Sequence, residues 1–190
     1  MHHKTVLLVL AGLGLAGSLA VLAKEPPPPD YFPLRVGDWW KYQSTNASGA
    51  KSEFTIKVTA FDDQSKVYTV ETTAGPTIID EFYTKPPGWV MWHKEIYVKN
   101  SMTAEFQPGP RKFLQNPPGK DSAWDWSGTG MMNTQIDDKE AYAGSDPIVV
   151  PAGKFSGVHV HGDVTQGGAA VKKDYWYANW VGLVKSQTDS

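Results

Sequence analysis

Beyond residue 30 the chain alternates apolar and polar side chains with a period of two, the spacing of a pleated strand with one face turned inward. Phe54, Ile56, Val58 and Ala60 alternate with Thr55, Lys57 and Thr59. Tyr68, Val70 and Thr72 repeat the pattern after the turn-forming Asp62-Asp63-Gln64, so these two runs are predicted to pair antiparallel. Further strands are predicted over 78–84 and 90–99, separated by Pro86-Pro87-Gly88, and over 155–165, 171–178 and 183–186. Gly167-Gly168 supplies the positive φ values of a tight hairpin between the 155–165 and 171–178 runs. No mature stretch of ten residues keeps a helical period; residues 140–143 are read as a single helical turn, and the proline-rich 107–119 as a loop or lid.

Many short strands without interleaved helices predict a mainly β domain. The expected form is an antiparallel curled sheet or half-barrel, with a β-sandwich as the alternative. No repeat of propeller or solenoid length is present.

The pattern changes before residue 31. His2, His3 and Lys4 precede an uncharged apolar run over 5–23, and Val21-Leu22-Ala23 fits a signal-peptidase site. Residues 1–23 are therefore read as a secretory signal. The run also equals the roughly 20 residues that cross a bilayer, so an uncleaved anchor, an N-terminal apolar helix touching the membrane through residues 5–23, is the alternative. Both place the body in the periplasm or outside the cell, in one case anchored to the cytoplasmic membrane. Gly12, Gly14 and Gly17 imitate a dinucleotide-binding pattern, but they lie inside this export segment and lack the strand context that motif requires. Pro26, Pro27, Pro28 and Pro29 make residues 24–30 a stiff spacer, and 31–190 the β domain.

Composition removes several functions. The 18 Lys and Arg against 20 Asp and Glu leave no basic excess for a nucleic-acid backbone. The absence of Cys excludes disulfides, thiolate metal sites, thiol nucleophiles and N-terminal lipoprotein acylation. Catalytic signatures such as a Gly-x-Ser-x-Gly elbow, a His-Glu-x-x-His pair or a phosphate loop in the body are missing, so the chain is read as a non-enzyme without cofactors. The neighbouring acids Asp62-Asp63, Asp80-Glu81 and Asp137-Asp138 face opposite sides of a strand and are assigned to solvated turns. His159 and His161 share one strand face, with Asp163 next in line. They are weak metal candidates, because Val158 and Val160 fill the other face and leave the histidines on the wetter one. His93 is a conceivable third member.

Eight Trp and eight Tyr are the main chemical clue. Trp89, Trp92, Trp124 and Trp126 are the ligand-binding candidates, since an indole joins a large apolar face to one N–H donor. Trp124 and Trp126, close to the glycines at 128 and 130, are expected to be the exposed ones. Tyr175 and Tyr177 share a face, with Trp176 opposite.

Two end motifs carry a resemblance. Tyr31-Phe32-Pro33-Leu34 with Gly37 and Trp39-Trp40-Lys41-Tyr42, then Val150-Pro151-Ala152-Gly153-Lys154-Phe155, and finally Trp176-Tyr177-Ala178 with Val181-Gly182-Leu183-Val184-Lys185, resemble a family of exported bacterial proteins of uncharacterised function. The resemblance implies a curled antiparallel sheet similar to periplasmic lipoprotein carriers and receptors, without carrying over their function. The motif residues themselves read as backbone punctuation: a tight entry at Gly37, a turn at 151–153, and a bulge or close-packing point at Gly182.

Three functions remain open at this point. One is an extracytoplasmic binding or assembly module for an apolar or amphipathic ligand, a lipid or a lipidated envelope partner. Another is a structural accessory subunit of a membrane complex held by an uncleaved helix. The last is a glycan-binding module using Trp124 and Trp126.

Overall fold

In the computed structural model, which describes residues 25–189, alternation along the chain becomes twelve strands in two antiparallel sheets. The leader and its membrane-helix alternative lie outside the described residues. Pro26, Pro27, Pro28 and Pro29 are exposed and belong to no regular element.

The first sheet is a meander of β1 (Trp39–Thr45), β2 (Lys51–Asp62), β3 (Val67–Ala74), β4 (Thr77–Thr84), β5 (Trp89–Tyr97) and β6 (Met102–Glu105), and β7 (Arg111–Gln115) also pairs with β5. The predicted β2–β3 pairing holds, with Val58 opposite Val70. Its turn is fixed by Asp62, whose carboxylate accepts from the Gln64 N–H and the Ser65 hydroxyl, and by Lys66 at φ +59°. The second sheet contains β8 (Ala123–Thr129), β9 (Gln135–Val150), β10 (Gly153–Gln166), β11 (Ala169–Ala178) and β12 (Gly182–Asp189), in the order β12-β11-β10-β9-β8. Gly167 and Gly168, at φ +57° and +86°, form the tight β10–β11 turn as predicted.

Val58, Val70, Tyr83 and Val90 of the first sheet share one core with Val158, Val160 and Tyr177 of the second. One flank is pinned by a backbone bridge, Gln107 to Thr129, at 2.9 and 2.7 Å. At the other, the Trp40 indole donates to the Val181 carbonyl and the Tyr42 hydroxyl to the Leu183 carbonyl, both at 2.8 Å. Side chains rather than a ladder join β1 to β12, so neither sheet closes into a full β-barrel, and the molecule fits the expected curled sheet or sandwich.

Two further expectations change. The 107–119 segment is not all loop, because β7 lies within it. Residues 140–143 are not helical but part of β9. That strand hides from a hydrophobicity reading because its inward positions include Asp138 and Glu140, and because a bulge near Gly144, opposite His159, breaks its alternation.

Candidate functional site

Between the sheets lies a hollow of about 250 Å³. The first sheet contributes Trp40, Tyr42, Ile56, Val70, Glu81, Tyr83, Trp92, Arg111 and Phe113, and the second Lys173, Tyr175, Tyr177 and Leu183. Strand alternation explains the membership: Tyr83 stands across from Trp92, and Tyr177 from Leu183. Tyr83 and Trp92 stack at 5.7 Å, and Phe113 meets both rings at 5.5 Å near edge-on.

Phe32, Pro33 and Leu34 also line the hollow, in a strap that precedes β1. Asp30 ties the strap down. Its carboxylate accepts from Lys85 at 2.6 Å and from the Asn116 amide at 2.7 Å, and its N–H donates to Asn179 at 2.8 Å. Burial works against the Asp30 carboxylate, but Lys85 and Asn116 hold it below its ordinary range. Gly182 of the closing motif lies against the Pro33 ring, and its φ of +93°, which side chains rarely adopt, accounts for the glycine.

Polar groups punctuate the apolar wall. Glu81 accepts from the Thr72 hydroxyl at 3.0 Å and the Tyr83 hydroxyl at 3.1 Å. Burial, then the charge of Glu95, pushes the Glu81 carboxyl up to about 7 despite those bonds. Arg111 is buried and ion-paired with Asp138, and its guanidinium lies 5.5, 5.6 and 5.7 Å from the ring centres of Trp92, Phe106 and Trp126. Glu140 lies over Gly162, where a Cβ would come within 2.8 Å of both its oxygens. Burial, then Asp138, holds the Glu140 carboxyl far above its ordinary range. Asp138 Oδ1 and Glu140 Oε2 are buried without a donor among the described residues.

Of the four predicted tryptophans, Trp92 lines the hollow. Trp89 and Trp124 meet edge-to-face at 6.1 Å in the main core. Trp126 joins Phe106, Ile136 and Val164 in a smaller cluster, and its N–H donates to the Pro108 carbonyl at 3.0 Å. The expected exposure of Trp124 and Trp126 is corrected: they are 6% and 8% exposed, because they occupy the inward positions of β8 and leave Asp125 and Ser127 outside. They offer no platform for a sugar ring.

His159 and His161 do share the outward face of β10, and Asp174 of β11 joins them. His159 Nε2 and His161 Nδ1 donate to the same Asp174 oxygen at 2.7 and 2.9 Å. Burial opposes the Asp174 carboxylate, yet the two histidine hydrogen bonds hold it below its usual range. His159 also stacks on Trp176 at 4.5 Å. His93 sits in the other sheet, bonded to Thr84 at 2.9 Å. Among the described residues no group of three or more His, Cys, Asp or Glu is arranged to hold a metal ion.

A second depression, about 620 Å³, is an open groove bordered by Phe61, Phe82, Lys94, Glu105 and Pro110. It is larger than the hollow but lacks its enclosing second sheet.

Sequence reasoning missed Glu81, Arg111, Asp138, Glu140 and Lys173. The assignment of acidic pairs to solvated turns holds for Asp62-Asp63 but is overturned for Glu81 and Asp138, which sit in strands and turn inward. The period-two spacing of Ile136, Asp138, Glu140 and Tyr142 was the available signal. No protein-family model, curated protein or solved structure matches the chain.

Proposed function

We propose that this chain is an extracytoplasmic, non-enzymatic binding module that holds the apolar part of an amphipathic ligand between its sheets. The observation that carries the reading is the hollow itself, walled by Trp40, Tyr42, Tyr83, Trp92, Phe113, Tyr175 and Tyr177 and sparingly supplied with polar groups. Its volume lies just below the roughly 300–1,000 Å³ of small-molecule sites, which suits a slim apolar group whose remainder emerges at the rim. Glu81 and Arg111 are already engaged by neighbours, an arrangement that favours holding a molecule over transforming it. The placement outside the cytoplasm rests on reading residues 1–23 as an export segment.

Native mass spectrometry of the protein purified from its own envelope tests this. The expected result is a non-covalent adduct of lipid or amphiphile mass, lost in an Ile56→Trp variant that fills the hollow and remains folded by circular dichroism. An adduct that persists in that variant, or a bare protein that also fails to take up added amphiphile, contradicts the proposal.

A further inference from the structure

We infer that the ligand of this hollow carries an anionic, hydrogen-bond-accepting head such as a carboxylate, held by Lys173, with its apolar tail lying among Trp40, Ile56 and Phe113. The inference rests on reading the hollow as a ligand site and adds the chemistry of what enters it.

Two donor-only groups on the wall, Lys173 and the Trp92 N–H, lack a partner among the described residues. Lys173 has no carboxylate within ion-pair distance among the described residues, although it lines an aromatic cavity and is half-buried. The Trp92 N–H is buried with no acceptor. The Tyr175 and Tyr177 hydroxyls make no hydrogen bond among the described residues, whereas Tyr83 and Tyr42 each have an acceptor. A buried donor without an acceptor costs roughly 1–3 kcal/mol, so the Trp92 N–H adds to the demand of Lys173 for an acceptor, and the two hydroxyls can donate to the same group.

The one carboxylate lining the hollow among the described residues is already in use. Both Glu81 oxygens take hydroxyl donors, and one Asp138 oxygen takes Arg111. Across the sheet from Lys173, with Gly162 between them in register on β10, stands Glu140. Burial, then Asp138, pushes the Glu140 carboxyl up to about 8, so it answers the Lys173 charge less fully than an ordinary carboxylate does. Arg111 differs because Asp138 neutralises it and three rings enclose it. Lys173 is therefore the cation available to an incoming group, and an ammonium head would meet one cation and several donors.

Titration calorimetry with decanoate, decanol and decylammonium near neutral pH tests the head group with the tail held constant. Decanoate is expected to bind about ten- to a hundredfold more tightly than decanol, the range of a charge-assisted hydrogen bond, with decylammonium weakest. Lys173→Met should bring decanoate down to the affinity of decanol, and Lys173→Arg should keep most of the preference. Equal binding of decanoate and decanol, tightest binding of decylammonium, or a carboxylate preference that survives Lys173→Met overturns the inference while leaving the hollow a ligand site. Failure of all three to bind overturns the ligand-site reading as well.

Discussion

His159, His161 and Asp174 occupy the outward face of the second sheet, while Asp138 and Glu140, on the strand beside β10, turn inward to meet Arg111 from the first sheet. Both clusters combine carboxylates with cationic or cationisable partners. They differ in solvent. The Asp174 carboxylate is stabilised by two histidine donors and keeps its charge, whereas the Glu140 carboxyl has lost water and keeps its proton. The same residue types therefore act as a solvated surface network on one side and as a costly set of interior charges on the other. The interior set also shapes the hollow by tying up Arg111, while Lys173 has no ion-pair partner among the described residues.

Arg111→Met is the most severe way to break the contrast. It strands Asp138 as an uncompensated interior charge, and a loss of about 3–5 kcal/mol is expected in urea unfolding near neutral pH. A loss below about 1 kcal/mol would place the pair with surface ion pairs. Gly162→Ala comes next. Its Cβ would press on the Glu140 carboxyl, and overpacking of this kind costs about 1–3 kcal/mol, read as a lowered Tm.

Glu81→Gln sharpens the comparison through pH. The folded-state carboxyl titrates at about 7, above its ordinary 4.5, so the folded protein holds a proton that the unfolded chain has released. Stability should therefore fall as pH rises from about 5 to about 7 and level off above that. The glutamine variant should lack this part of the decline and gain roughly 1–3 kcal/mol at pH ~8. An unchanged slope would show that Glu81 is solvated. Asp174→Asn is expected to have the smallest effect, less than about 1 kcal/mol. Because the Asp174 pKa is lowered, its contribution is present above the unfolded-state value and disappears as pH falls through the folded-state value, so only the acid limb of the stability profile should change.

Legibility followed the same divide. Runs such as Phe54 to Ala60 and the hairpin at Gly167-Gly168 announced themselves because their inward positions are apolar or their turn demands glycine. The outward histidine pair was legible from its two-residue spacing, with Val158 and Val160 between. β9 was not, because acids hold its inward positions, and β8 was only half read, because two indoles beside glycines look equally suited to a core or a platform. The seam at β1 and β12 was invisible for a different reason. It depends on Trp40 and Tyr42 reaching carbonyls 141 residues away in the chain. Asp174 escaped notice because it joins the histidines across a strand pairing rather than along the chain.

The claim that the hollow between the sheets is where a ligand sits is tested most directly by mapping decanoate-induced shifts on the Trp indole and Ile and Leu methyl resonances. Saturable shifts at Trp40, Trp92, Ile56 and Leu183 are predicted, with Trp39 and Trp180 on the exterior unmoved. Unperturbed resonances at all four wall residues under saturating decanoate would contradict it.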